Sequence, residues 1–213
     1  MLFLNTNSLR NKIYTLFIFI PLLLISDQLR AEETKLLILG DSLSAAYGLK
    51  QEQGWVSLLQ DAWQDQDIKV INGAISGETT DGALARLPRL LAQHKPTHIF
   101  VELGGNDGLQ GHPVNKMRKN LEKIIQLSQK SAVRVILQQM QIPANYGKRY
   151  TSMFTNTYSD LATEYEVTLL PFFLENIALD KSLMQRDGIH PNAEAQVIIA
   201  KDMQKTLGEI ILP

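Results

Sequence analysis

Residues 35–42 of the chain read KLLILGDS, a short apolar run that ends at Gly40, Asp41 and Ser42. An apolar run of this length, bounded by glycine, is typical of a buried β-strand. Similar runs recur at 68–71, 97–103, 133–137 and 167–170. Near-continuous apolar strands of this kind indicate a sheet that is covered on both faces.

Longer amphipathic stretches lie between these runs, and each of them predicts a helix. We expect Pro88 to kink or split the second helix, because proline lacks an N–H and clashes with the preceding turn. The alternation of strands and helices predicts an α/β fold with a parallel sheet. Ligands bind beyond the carboxyl ends of such strands, so functional residues should directly follow them. The predicted helices are 54–65, 78–93, 114–131, 150–165 and 193–208.

The composition limits the chemistry that this chain can perform. Its 213 residues include 21 Lys and Arg against 22 Asp and Glu, so no broad basic surface for nucleic acid is expected. The chain has no cysteine, which excludes disulfides, thiolate nucleophiles and cysteine-based metal centres. Hydroxyl, carboxylate and imidazole chemistry is left.

The N-terminal segment has the three-part pattern of a secretory signal peptide. Arg10 and Lys12 precede an uncharged run from Ile13 to Ile25, and the small residue Ala31 follows. This run is shorter than the about 20 apolar residues that span a membrane, although an uncleaved signal anchor is the alternative. We therefore predict a signal peptide at 1–31, a folded domain at 32–213 without a stable membrane span, and a periplasmic or secreted location.

Ser42 directly follows the first apolar run, which makes its hydroxyl a candidate nucleophile. Backbone N–H groups beside it could receive an oxyanion, but Ser42 or Asp41 could instead only cap the next helix. The G-x-S-x-G turn of α/β-hydrolases is not matched, because Ser44 stands where the second glycine should be.

Two further candidates follow the second and third strands. Gly77 lies near a predicted helix start, where unpaired N–H groups point outward, or serves only a turn. The side chain of Asn106 can donate to a developing oxyanion, or it can hold its own loop. The glycine-rich stretch at 104–108 lacks the spacing of the nucleotide-binding motifs.

His190 is the best candidate for a general base. Asp187, three residues earlier in a turn bounded by glycine and proline, can hold one imidazole nitrogen and leave the other to accept a serine proton. The other three histidines fit this role less well. His94 ends a predicted helix, His98 opens a strand, and His112 has no carboxylate nearby on the same turn.

In order and spacing, these motifs resemble the four sequence blocks of the SGNH hydrolases, also called GDSL esterases and lipases. Three further stretches are similar to a bacterial periplasmic branch of that family, whose members combine thioesterase, lysophospholipase and protease activity. The four blocks are GDSLS (40–44), ISGET (75–79), GGND (104–107) and DGIHPN (187–192), and the further stretches are ARLPRLL (85–91), VELGGNDGL (101–109) and IPANYGKRY (142–150).

The resemblance implies a three-layer α/β/α sandwich of flavodoxin-like topology, with a five-stranded parallel sheet in the order 2-1-3-4-5. It implies that Ser42 is the nucleophile, His190 the base and Asp187 the acid that orients it. The oxyanion hole would consist of the N–H groups of Ser42 and Gly77 and the side chain of Asn106. The resemblance implies no metal and no cofactor.

The resemblance further implies hydrolysis of lysophospholipid, acyl-CoA and aryl esters through an acyl-enzyme, by a monomer acting on lipid-like small molecules. The loop 108–113 corresponds to a mobile loop beside the acyl groove of such enzymes, and Ala46 replaces a frequent glycine. Two alternatives stay open. One is a deacetylase of a cell-envelope polysaccharide, which the apolar Leu109 mildly opposes, and the other is a non-catalytic binding module.

Overall fold

A computed structural model describes residues 33–212, and the predicted signal peptide at 1–31 lies outside this range. Within it, five parallel strands form one sheet in the order β2-β1-β3-β4-β5. This order confirms the sheet that the family resemblance implies. The strands are β1 (Thr34–Gly40), β2 (Ile68–Asn72), β3 (His98–Glu102), β4 (Arg134–Gln138) and β5 (Thr168–Leu170).

Helices connect the strands and cover both faces of the sheet. The connection from β1 to β2 runs toward one edge of the sheet, and the later connections run toward the other edge. Because all crossovers are right-handed, α1 lies on one face of the sheet and α2, α4 and α5 lie on the other. The last helix, α6, packs against α1, which completes the three layers. The helices are α1 (Trp55–Ala62), α2 (Thr80–His94), α3 (Gly105–Leu109), α4 (Val114–Lys130), α5 (Lys148–Glu164) and α6 (Ala193–Ile211).

The two central strands form the middle of the hydrophobic core. Leu36 to Leu39 in β1 and Ile99 to Val101 in β3 are completely buried. Their side chains alternate between the two faces of the sheet, so burial of consecutive residues requires helices on both sides. This burial confirms the covered sheet that the apolar runs predict.

The stretch after Ser42 forms no regular helix. Residues 42–48 form consecutive turns, and α1 begins at Trp55, close to the start of the helix predicted at 54–65. Ala46 and Gly48 have positive φ angles of 56° and 72°, a left-handed conformation that interrupts a right-handed helix. The glycine-rich stretch after β3 differs from the loop expected there, because it forms the short helix α3.

Pro88 does not split the second helix, which runs unbroken from Thr80 to His94. Proline removes one hydrogen bond to the carbonyl four residues earlier, here that of Leu84. Pro88 is exposed to solvent, so water can hydrate that carbonyl. Burial of Ala83 and Leu87 on the opposite side holds the helix against the core.

No helix within residues 33–212 has the length and apolar character needed to cross a membrane.

Candidate active site

The sheet order brings the predicted site residues to one edge of the molecule. Strands β1 and β3 are neighbours in register, with Gly40 opposite Glu102. The loops that follow them therefore start side by side, and the loop after β2 lies next to them. The loop before α6 reaches the same edge, as the contacts of His190 show.

Ser42, His190 and Asp187 form a continuous line of hydrogen bonds. The Ser42 Oγ lies 2.9 Å from the His190 Nε2, and the His190 Nδ1 lies 2.8 Å from the Asp187 Oδ2. An ionised carboxylate only accepts hydrogen bonds, so the proton of the neutral imidazole belongs on Nδ1. The Nε2 atom is then the acceptor for the serine hydroxyl, as a general base requires.

The turn that contains Asp187 keeps this carboxylate ionised. Its Oδ1 accepts the N–H groups of Ile189 at 2.9 Å and His190 at 3.0 Å. Partial burial raises the pKa of Asp187, but these two bonds and the contact with the imidazole outweigh it and lower the pKa from 3.8 to about 2. Asp187 therefore carries a negative charge at every pH near neutrality.

Two residues that the sequence patterns did not indicate hold the histidine ring in place. The Tyr47 ring packs against the His190 ring with centroids 4.2 Å apart. The Gln185 side chain donates hydrogen bonds to the carbonyls of Tyr47 at 2.8 Å and Pro191 at 3.0 Å, which ties the two loops together. A separation of 138 residues gives no local pattern from which this contact could be predicted.

The N–H groups of Ser42 and Gly77 donate to no backbone carbonyl within residues 33–212. Gly77 has φ +78°, and a Cβ atom added there would meet nothing within 4 Å. Glycine is therefore required at this position for its left-handed backbone and not for lack of space. The turn follows β2 and precedes α2, so Gly77 does not belong to the helix start predicted for it.

The Asn106 side chain holds its loop, which was one of its two predicted roles. Its Nδ2 donates to the Asp41 Oδ2 at 3.1 Å and to the carbonyl of Glu78 at 3.0 Å. Both amide hydrogens therefore have an acceptor in the unliganded protein. An oxyanion would have to share or replace the carbonyl of Glu78 as the acceptor of one of them.

A buried pair of carboxyl groups lies directly beneath these residues. Glu102 is fully buried and Asp41 nearly so. The Glu102 Oε2 accepts the Ser44 hydroxyl at 2.8 Å and the Asp41 N–H at 3.2 Å. Loss of hydration raises the pKa of Asp41 to about 6 and that of Glu102 well above 4.5. The sequence analysis did not single out Glu102, because one acidic residue within the apolar run THIFVEL (97–103) gives no signal besides that of a strand.

The remaining histidines lie outside the hydrogen-bonded line. His112 comes closer to a carboxylate than predicted, since its Nδ1 lies 3.9 Å from the Asp107 Oδ1, although this distance is too long for a hydrogen bond. Residues 33–212 contain no group of three or more histidine, aspartate and glutamate side chains arranged to hold a metal ion.

Comparison with known proteins agrees with the geometry. Residues 38–198 match the model of the GDSL-like lipase/acylhydrolase family. The chain belongs to this family. The SGNH/GDSL membership predicted from the four sequence blocks is thereby confirmed.

Named relatives of this GDSL hydrolase cover most of its length. An arylesterase of Vibrio mimicus is 49% identical over 81% of this chain and 88% of its own. The thioesterase 1/protease 1/lysophospholipase L1 of Escherichia coli (strain K12) is 46% identical over 91% of this chain and 92% of its own. Among solved structures, the psychrotrophic esterase EstA from Pseudoalteromonas sp., inhibited by monoethylphosphonate, superposes with a TM-score of 0.82 and 46% sequence identity. The match covers 84% of this chain and 100% of the EstA chain.

These matches confirm the prediction that the GDSL hydrolase is an enzyme of the esterase class. They do not favour the polysaccharide deacetylase or the non-catalytic binding module.

Replacing Gly77 by alanine tests the role of its backbone. The left-handed conformation costs an alanine about 1–2 kcal/mol, so we expect a loss of stability of about 1 kcal/mol and a drop in kcat as the N–H turns away. Urea unfolding and steady-state kinetics measure the two effects. Gly147→Ala is the control, since Gly147 also has a positive φ and open space. An equal drop in kcat in both variants would contradict a specific role for Gly77.

Proposed function

We propose that this protein is a serine hydrolase of acyl esters and thioesters that forms an acyl-enzyme on Ser42. The observation that carries the proposal is the hydrogen-bonded line from Ser42 through His190 to the ionised Asp187. It provides a nucleophile, a base and a group that fixes the tautomer of the base.

In the first step, the Ser42 Oγ attacks the carbonyl carbon of the substrate while its proton passes to the His190 Nε2. The imidazolium that forms is stabilised by Asp187, which keeps its negative charge. The tetrahedral intermediate then collapses, and the leaving oxygen or sulfur takes the proton from Nε2. The acyl group stays on Ser42 as an ester.

In the second step, water attacks the acyl-enzyme and gives its proton to the His190 Nε2. Collapse of the second intermediate returns a proton to the Ser42 Oγ and releases the carboxylic acid. In both steps the carbonyl oxygen becomes an oxyanion, for which we propose the N–H groups of Ser42 and Gly77 and the amide of Asn106 as donors.

Apolar side chains around the nucleophile support acyl substrates of lipid-like character. Tyr47, Ile75 and Ile189 are each 46–47% exposed. The Tyr47 ring packs against His190, Ile189 directly precedes His190, and Ile75 lies two residues before Gly77. Large exposed apolar side chains clustered at a site favour binding of an apolar ligand. Lysophospholipids, acyl-CoA thioesters and aryl esters are therefore the substrate classes that we propose.

A phosphonate ester tests the nucleophile directly. We expect one phosphonyl adduct per chain, located on Ser42 by mass spectrometry of peptides, with complete loss of esterase activity. Ser42→Ala should take up no reagent and should lose at least roughly 10⁴-fold in kcat, because the nucleophile is gone.

Ser76→Ala is the matched control, because Ser76 is an exposed serine that directly precedes Gly77 in the loop after β2. This variant should be labelled on Ser42 at the wild-type rate. An active protein whose adduct lies elsewhere, or that takes up none, would refute the proposed nucleophile.

We further propose that the protein is exported and that its first 31 residues are removed. The proposal rests on the charged start, the apolar run and the small residue Ala31 of the N-terminal segment. A charge within the apolar run should prevent export.

Expression of the full chain, cell fractionation and N-terminal sequencing test the location. The wild type should appear outside the cytoplasm with Glu32 as its first residue, and Leu23→Arg should stay in the cytosol with Met1 intact. Leu23→Ile is the control and should be exported. A wild-type chain that keeps Met1 in the membrane fraction would support the uncleaved anchor instead.

A further inference from the structure

Glu102 is a buried acid that the proposed mechanism does not use. It ends β3 with no exposed surface, at the centre of the sheet. A Cβ atom on Gly40 would lie 2.7 Å from its Oε2, so the neighbouring strand leaves room for this carboxyl group and for little else. A buried charge here would be costly, which suggests that the group has a role.

The Glu102 carboxyl group lies against Asp41, since its Oε2 accepts the Asp41 N–H at 3.2 Å, and both side chains are buried. Two carboxylates buried this close together are not both ionised, so one of the two groups retains a proton. The Oε1 of Glu102 is buried and receives no hydrogen bond from a donor within residues 33–212. Asp41, in contrast, accepts hydrogen bonds on both oxygens, from the Leu43 N–H and from Asn106. The proton therefore belongs on Glu102.

The charge of Asp41 decides which way the Asn106 amide faces. An ionised carboxylate is acceptor-only, so it holds the N–H₂ group and repels the amide oxygen. A neutral Asp41 could donate a hydrogen bond, and the Asn106 side chain could then turn its oxygen toward it. In the observed orientation, one amide hydrogen of Asn106 faces Asp41 and the other faces the carbonyl of Glu78. This orientation thus depends on whether Asp41 or Glu102 carries the retained proton.

We propose that Glu102 is a positioning residue, which as a neutral acid donates a hydrogen bond to the Asp41 carboxylate and so keeps the N–H₂ of Asn106 facing the oxyanion. This inference rests on the proposed function, because it takes Asn106 as an oxyanion donor. The other titratable groups near the pair are His190 from the loop before α6 and Tyr158 of α5, and Asp107 of α3 faces Tyr158 in turn.

Two substitutions of Glu102 separate positioning from mere packing. Glu102→Gln has the same shape and can still donate to Asp41, so kcat should stay within about threefold of the wild type. Glu102→Met removes the donor, and kcat should fall on the order of 10–100-fold with KM little changed, a part of the 10²–10³-fold cost of losing a whole oxyanion donor.

A double substitution shows whether the effect passes through Asn106. If Glu102 acts by holding that amide, Glu102→Met should lower kcat no further in an Asn106→Ala background. Gln138→Met is the control, since Gln138 is a buried polar residue at the end of the adjacent strand β4. It should lower the melting temperature without a comparable drop in kcat.

The pH dependence of stability tests the proton without any assay of activity. The unfolded chain loses the Glu102 proton above about pH 4.5, whereas burial keeps it in the folded protein. Wild-type stability should therefore fall as pH rises above 4.5, and Glu102→Gln should not share this contribution. The melting temperature of Glu102→Gln minus that of the wild type should increase steadily between pH 5 and pH 8.

A melting-temperature difference between Glu102→Gln and the wild type that does not change with pH would overturn the inference. A kcat of Glu102→Gln as low as that of Glu102→Met would overturn it as well. Additive effects in the double substitution would overturn the route through Asn106. Failure of the proposed function is recognised separately, because it would leave Ser42 unlabelled by the phosphonate while the pH dependence of stability still reports on Glu102.

Discussion

The site depends on one hydrogen bond that joins residues 148 positions apart, from Ser42 after the first strand to His190 before the last helix. The two partners meet because β1 lies inside the sheet, between β2 and β3, and the loop before α6 folds back over its carboxyl end. Each end of the bond is fixed by its own turn. Asp187 accepts two N–H groups of the turn that carries His190, and the side chain of Asp41 accepts the N–H of Leu43 beside the nucleophile.

The charges near this bond are arranged by burial. Asp187 is partly exposed, bonded to N–H groups and ionised, so it can stabilise an imidazolium. Asp41 and Glu102 are buried beneath Ser42, the proposed nucleophile, and burial raises the pKa of both. Three carboxyl groups of similar intrinsic acidity thus have pKa values shifted in opposite directions within one site. The same principle lets acid and base chemistry coexist at neutral pH in other enzymes.

Much of the fold follows from local patterns in the sequence. Apolar runs locate the five strands, because a sheet covered on both faces buries consecutive residues, most of which are apolar. Ser42, Asp187 and His190 could be predicted as site candidates from their places after strands and from their spacing. Tyr47, Gln185 and Glu102 could not, because their roles come from contacts between distant segments. The turns at 42–48 have no local signal in the sequence either, since Ala46 takes a left-handed conformation that its residue type disfavours.

The most direct test of the hydrogen-bonded line is the substitution Asp187→Asn. An amide in place of the carboxylate keeps the shape of the turn but can no longer stabilise an imidazolium or fix the tautomer of His190. We expect kcat to fall on the order of 10³–10⁴-fold with the fold intact by circular dichroism. Asp180→Asn is the control, since Asp180 accepts the N–H of Ser182 in an exposed turn. A loss below tenfold, or an equal loss in both variants, would contradict the assignment of Asp187, His190 and Ser42 as one catalytic unit.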